Sequence, residues 1–177
     1  MNQIYIHPKR KTKVVFVQLG SPSEPTTKAL RKYLRKFLGD PRVVDINPWL
    51  WKIILNFFVL PFRPKKSAKL YARIWDGKSF PLITNTRDFT NNVREELKKI
   101  DPSGHVEVNH AFLLSPPYVN EVYDSWEDDL KKGVGATKLL VIPMFPQYSE
   151  STIASGIDAL AKELSKRVKI PTFEVIT

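Results

Sequence analysis

Leu139-Leu140-Val141-Ile142-Pro143-Met144-Phe145-Pro146-Gln147-Tyr148-Ser149-Glu150-Ser151-Thr152 is the stretch on which the reading of the fold turns. A short apolar run bounded by proline suits a buried strand, and the residues after it carry one hydrogen-bonding side chain after another. In a parallel α/β sheet, ligands sit at the carboxyl ends of the strands. A strand that exits onto Gln, Tyr, Ser, Ser and Thr therefore marks a candidate pocket. The same residues also suit a plainer role, because Ser149, Ser151 or Thr152 can cap the helix expected to begin near Ile153. Both readings stand on the sequence alone.

Working outward, the flanking segments repeat this strand and helix grammar. Lys13 to Leu19 reads as a first buried strand, broken by Gly20-Ser21-Pro22. A helix starting around Ser23-Glu24-Pro25 carries Ala29, Leu30, Tyr33, Leu34, Phe37 and Leu38 on one face, and Gly39-Asp40-Pro41 stops it. Lys69 to Trp75 predicts a short helix. Asn85 or Thr86 is a candidate cap for the next one, whose Phe89, Val93, Leu97 and Ile100 share a face. Val106 to Leu114 predicts a second strand, Val122, Trp126 and Leu130 a helix, and Lys138 to Ile142 the third strand. Ile153, Ile157, Leu160 and Leu164 then mark a helix, and Phe173 to Ile176 a fourth strand. Strands alternating with helices imply right-handed crossovers and a parallel sheet, so the fold class is α/β.

Composition narrows the function classes. The chain of 177 residues has no cysteine and three histidines, His7, His105 and His110, so it offers no disulfide framework and no thiolate metal site. No Gly-x-Gly-x-x-Gly or Gly-Lys-Ser/Thr loop follows the first strand, which argues against nucleotide binding. A net charge of +10 suits an anionic partner such as nucleic acid, a membrane surface or a polycarboxylate, but no nucleic-acid motif accompanies it. The basic N-terminus lacks the long apolar core of a signal peptide, and the expectation is a cytoplasmic protein.

Trp49 to Phe62 is apolar nearly all round and runs into Arg63-Pro64-Lys65-Lys66. It is too short to span a bilayer, which takes about 20 apolar residues. An interfacial membrane helix has this makeup, as does a lid over an apolar ligand, as does a helix buried in a core.

Four motifs in order resemble one family. They are Gln18-Leu19-Gly20-Ser21-Pro22; Phe37-Leu38-Gly39-Asp40-Pro41-Arg42-Val43-Val44; Tyr71-Ala72-Arg73-Ile74-Trp75 leading to Ser79-Phe80-Pro81-Leu82; and Pro146-Gln147-Tyr148-Ser149-Glu150-Ser151-Thr152. Together they resemble the N-terminal half of ferrochelatase, over residues 13–177, with residues 1–12 left as a basic N-terminal segment. The resemblance implies a Rossmann-like parallel sheet flanked by helices, one of two such halves around a porphyrin cleft. It implies ferrous iron and a porphyrin as substrates of haem biosynthesis, with no tightly bound cofactor. Leu19 matches the position facing the macrocycle. Arg63, Tyr71 and Ser79 match positions that line or support the cleft, and Tyr148 and Ser149 match its inner wall. The Trp49 to Phe62 segment falls where the family carries an apolar lip that in some members touches the membrane, which adds peripheral attachment at the inner membrane to the expectation.

The sequence departs from the family pattern in two places. Leu113-Leu114 stands where many members have Arg-Tyr, and Ser151-Thr152-Ile153-Ala154-Ser155 where the motif often continues Thr-Thr-Gly-Ser. The family's catalytic His and Glu belong to its second half, so no catalytic or metal-binding residue is assigned here; His110 and Glu150 do not occupy those places. Two functions follow from the resemblance. The chain is part of an iron-inserting lyase, inactive alone and partnered by a missing C-terminal half or a second copy. Alternatively it is a non-catalytic module that binds tetrapyrroles or another protein.

Overall fold

A computed structural model describes residues 11–133 and 136–176, so most of the basic N-terminal segment lies outside the described residues. Four strands, β1 (Thr12–Gln18), β2 (Val106–Phe112), β3 (Lys138–Pro143) and β4 (Thr172–Val175), form one parallel sheet in the order β2-β1-β3-β4. Strand β1 lies centrally, with Val15 opposite Asn109 on one side and Val141 on the other. Parallel pairing requires long crossovers, and helices supply them.

Strand alternation sorts the apolar side chains onto two faces. Val15, Val17, Ala111, Leu139 and Val141 meet Tyr123 and Trp126 of α5 (Val119–Lys131) and Leu160 and Leu164 of α6 (Ser155–Leu164). Val14, Phe16 and Val108 face Val93 and Leu97 of α4 (Pro81–Ile100). Burial on both faces explains why β1 reads as an unbroken apolar run rather than an alternating one. At the β2 edge, Arg94 of α4 donates from Nε to the Val108 carbonyl at 2.7 Å, which occupies a strand group otherwise open to another chain.

The remaining helices gather at the carboxyl end of β1: α1 (Thr27–Leu38), α2 (Pro48–Ile54) and α3 (Arg63–Tyr71). Several boundaries differ from the sequence expectation. Helix α1 begins at Thr27, because Thr26 Oγ1 accepts from Ala29 N at 3.2 Å. Helix α4 begins at Pro81, with Phe80 in the cap position, so neither Asn85 nor Thr86 is a cap. Thr86 and Thr90 are buried inside it and donate their hydroxyls to the carbonyls of Leu82 and Thr86, each at 2.7 Å. Helix α3 starts earlier than Lys69 and finishes in a 3₁₀ turn at Ala72–Ile74. Strand β2 ends at Phe112; Leu113 and Leu114 leave the ladder but still donate to the Gln18 and Leu19 carbonyls, both at 3.0 Å.

The Trp49 to Phe62 segment is not a core helix. It is α2 followed by a π-helical turn at Leu55–Val59, and Leu55 and Leu60 are its buried side chains. Trp49 is 79% exposed and Phe62 72%, which leaves the lid and interfacial readings open.

Candidate functional site

The turn after β1 is the floor on which the site is built. Gly20 has φ +91°, a conformation that favours glycine, and a Cβ there would overlap Ser115 Oγ and stand 3.0 Å from Phe112 Cβ. That close approach lets Ser21 N donate to Ser115 Oγ at 3.3 Å, while Phe112 N donates to the Pro117 carbonyl at 2.7 Å. Tyr33 of α1 donates its hydroxyl to the Gly20 carbonyl at 3.3 Å and meets Tyr71 edge-on, ring centres 6.2 Å apart. Burial, and then the neighbouring Tyr71, push the Tyr33 phenol well above its usual range. It stays a neutral hydrogen-bonding group.

Above this floor opens a cavity of about 270 Å³. Helix α1 contributes one face, Ala29, Lys32, Tyr33 and Lys36, at the i, i+3, i+4, i+7 spacing of a single stripe. The loop into α4 contributes Trp75, Lys78, Ser79 and Phe80, and the segment after β2 contributes Leu114, Ser115, Pro116 and Tyr118. The loop is shaped by Asp76, whose carboxylate accepts from Lys78 N at 2.7 Å and Ser79 N at 2.6 Å. Those backbone donors, Ser79 first, hold the Asp76 carboxyl below its ordinary pKa. Gly77, at φ +95°, completes the turn that brings Ser79 to the wall.

A lip stands beside the cavity. Leu55, Leu60 and Leu38 form a small core with Leu34, Phe37 and Trp51 packed against it. Trp51 Nε1 donates to the Leu38 carbonyl at 2.7 Å and Arg31 Nε to the Leu60 carbonyl at 3.2 Å, so two bonds anchor the lip to α1. Its outer surface carries Trp49, Ile53, Phe57, Phe58 and Phe62, all exposed.

The residues singled out from sequence scatter around this centre. Ser79 lines the cavity. Tyr71 closes the end of α3 behind the lining, edge-on to Tyr33 and, at 5.5 Å, to Phe80. Leu19, half-buried, precedes Gly20 and accepts from Leu114 N through its carbonyl. Arg63 is exposed at the start of α3. Tyr148 is 61% exposed, and Ser149 stands in the N-cap position of a second π-helical turn, Glu150–Ala154. The Ser149 hydroxyl pairs with that of Thr152 instead of capping a backbone N–H. Neither Tyr148 nor Ser149 lines the cavity.

Sequence reasoning missed Lys32, Lys36 and Lys78. Lys32 and Lys36 share the helical stripe of Ala29 and Tyr33, but that stripe by itself does not separate a lysine facing a cavity from one facing solvent. Leu114 lines the cavity too, so one half of the Leu113-Leu114 departure adds an apolar surface to the wall. His110 lies apart, at the β2 edge beside Arg94, with Nδ1 buried and unpartnered. Burial, then Arg94 and Arg87, lower its pKa.

A doubly covered parallel sheet with a basic, hydroxyl-bearing cavity at its strand ends defines a ligand-binding α/β domain of Rossmann-like build. Residues 11–177 match the family model Ferrochelatase. The chain is 42% identical over 94% of its length to a ferrochelatase of Idiomarina loihiensis, and 39% identical over 93% to one of Marinobacter nauticus. It is 40% identical over 95% to the coproporphyrin III ferrochelatase of Streptococcus mutans. The chain belongs to the ferrochelatase family. It spans 44%, 43% and 50% of these relatives, about half of each.

Proposed function

We propose that this chain forms one wall of the porphyrin cleft of an enzyme of haem biosynthesis that inserts ferrous iron into the macrocycle, and that it does not complete the reaction alone. The observation that carries this reading is the cavity at the carboxyl ends of β1 and β2, where aromatic and apolar side chains meet hydroxyl and ammonium groups. A porphyrin is a flat apolar plate with carboxylates on its rim, and a site for it needs that mixture. In this reading Leu19 faces the macrocycle, Ser79 and Arg63 bound its edge, Tyr71 supports the wall from behind, and Tyr148 and Ser149 belong to the inner wall completed by the rest of the protein.

Insertion of iron displaces two protons from the pyrrole nitrogens, so an acceptor of near-neutral pKa must stand close to the ring. Among the described residues, no histidine or carboxylate lines the cavity. The proton acceptors therefore come from the half of the relatives that this chain does not span, and that half is the partner required. No described helix is long and apolar enough to cross a membrane. The lip's exposed aromatics beside Arg63, Lys65 and Lys66 support attachment at the surface of an anionic membrane, on the cytoplasmic side.

The test is anaerobic mixing of the 177-residue chain with protoporphyrin IX or coproporphyrin III, then ferrous iron, followed by visible absorption. Porphyrin bands that shift on binding, with no metalloporphyrin formed above the uncatalysed rate, are expected. Insertion above that rate overturns the claim that the chemistry needs the absent half, and a porphyrin spectrum unchanged by the protein overturns the cleft.

A further inference from the structure

Resting on that reading of the cleft, we propose that Arg42 is a positioning residue. Paired with Asp158, it forms a strut between the turn after α1 and the start of α6, and so holds the Tyr148-Ser149 motif in the orientation in which it walls the porphyrin. The pair joins residues 116 positions apart in the chain. Both Nε and Nη2 of Arg42 donate to the Asp158 carboxylate, Nη2 at 3.0 Å, and a two-pronged contact fixes direction as well as distance.

Each end of the strut is rooted. The Asp40 carboxylate accepts from Arg42 N at 2.9 Å, and the Asp40 carbonyl accepts from Val43 N and Val44 N at 3.0 and 3.2 Å. Val43 and Val44 pack against the leucine core of the lip, so the turn that presents Arg42 moves with α1 and the lip. Asp158 stands in the first turn of α6, which directly follows the π-helical turn Glu150–Ala154.

The motif needs such a tie. Met144 is the last residue bonded to the sheet: its N donates to the Val17 carbonyl at 2.8 Å and its carbonyl accepts from Gln18 Nε2 at 2.7 Å. From Phe145 to Ala154, among the described residues, the hydrogen bonds stay within the segment or reach no further than Ser155. Thr152, Ile153 and Ala154 all donate their N–H groups to the Ser149 carbonyl, and Ser155 Oγ donates to the Glu150 carbonyl. Buried Ile153 and Ala154 hold the inner side of the turn, while Tyr148 is exposed. Glu150 and Tyr148 both bear electrostatically on the Arg42 guanidinium, which sets the strut beside the residues it steadies. Arg42 and Asp158 are 36% and 56% exposed, and an ion pair that open contributes little to global stability. Its effect is geometric: it sets where the strand-end motif stands relative to α1 and the lip, two parts of the cleft otherwise anchored separately.

The deciding experiment uses the 177-residue chain and its variants Arg42→Gln, Arg42→Lys, Asp158→Asn, the double Arg42→Gln/Asp158→Asn and the exchanged pair Arg42→Asp/Asp158→Arg. Each is read by protoporphyrin IX titration, by amide hydrogen exchange of residues 150–154 without porphyrin, and by urea unfolding. Glu95→Gln, which removes an exposed ion pair within α4, is the control and changes none of the three. Arg42→Gln and Asp158→Asn are expected to exchange on the order of tenfold faster over residues 150–154 and to bind porphyrin about threefold to tenfold more weakly, with the urea midpoint unmoved. The double variant is no weaker than either single one, because one interaction is lost once. Arg42→Lys keeps the charge without the fork and stays close to Arg42→Gln, while the exchanged pair recovers part of the protection. Unchanged exchange and affinity in Arg42→Gln, losses that add in the double variant, or the same losses in Glu95→Gln overturn the strut. Failure of the unaltered chain to bind porphyrin overturns the cleft reading alone: faster exchange in Arg42→Gln then still upholds the strut, and unchanged exchange overturns that as well.

Discussion

The floor of the cavity and the lip beside it lie at the same end of the sheet, yet they are held by opposite means. The floor is fixed by backbone: Gly20 at φ +91° passes so close to Ser115 and Phe112 that no side chain fits, and Tyr33 and Ser21 bond directly into it. The lip is fixed by two side-chain bonds and a three-leucine core on one side only, with its aromatic outer surface left open. A floor without slack keeps the shape of a binding wall. A lip with one bare face can meet a ligand or a membrane without disturbing that shape.

The sharpest break in this contrast is Gly20→Ala. Left-handed backbone with a Cβ costs about 1–2 kcal/mol, and overpacking against Ser115 and Phe112 adds about 1–3 kcal/mol. A loss of that combined size in urea unfolding is expected, with weaker porphyrin binding. Full stability in the alanine variant would show that the floor is compliant after all. Trp51→Phe is the matching change in the lip. It leaves the Leu38 carbonyl without its donor, at a cost of about 1 kcal/mol, and faster proteolysis confined to the lip is the expected signature.

This contrast also separates what was legible in the sequence from what was not. The central strand and its covering helices were readable because they bury a continuous run or a periodic stripe, as in Val14 to Val17 or Leu30, Tyr33 and Leu34, whereas β4, exposed along most of its length, was readable from its β-branched and aromatic residues. Helix α4 was misread at its start because Asn85 and Thr86 have cap-forming side chains, while Pro81 and the buried Phe80 decided the boundary. The lip was legible as anomalous, but its three readings differ in which residues are covered, and exposure in three dimensions excludes only the core helix. Ser79 was reachable by motif; Lys32, Lys36 and Lys78 were not. A lysine on an amphipathic helix looks alike whether it faces solvent or a cavity, and the wall opposite is made by an Asp76 turn joined to α1 only through tertiary packing.

A smaller effect distinguishes the floor from the lip by pH. His110 packs its ring 5.5 Å from that of Phe112, the residue Gly20 approaches, and its folded-state pKa lies below the ordinary 6.5. The unfolded chain therefore takes up a proton near pH 6.5 that the folded chain resists. The contribution is complete above that pH and is lost as pH falls from about 6.5 through the folded value. Urea midpoints between pH 5 and 8 are expected to fall on the acid side, and His110→Gln is expected to flatten that slope. An unchanged slope would remove His110 as its source. The lip contains no titrating group of this kind, so Trp51→Phe should shift the whole curve without altering its shape.

The smallest expected change in stability is also the one that best tests the lip's purpose. Phe57 and Phe58 are 70% and 66% exposed and contribute to no described core cluster, so replacing both with serine is expected to leave the unfolding midpoint within about 0.5 kcal/mol. Their loss should nevertheless reduce co-sedimentation with vesicles containing anionic lipid, because apolar area inserted at the interface contributes to binding alongside the basic residues of α3. A stability loss as large as that of Gly20→Ala would mean that the outer face is held by packing of its own, and the division between a rigid floor and a one-sided lip would fail. Unchanged stability with unchanged vesicle binding would leave the lip as a cover for the tetrapyrrole. In that event the porphyrin titration, repeated on the double variant, should show weakened binding of protoporphyrin IX and coproporphyrin III alike, since the two phenylalanines offer the macrocycle apolar surface and no charge.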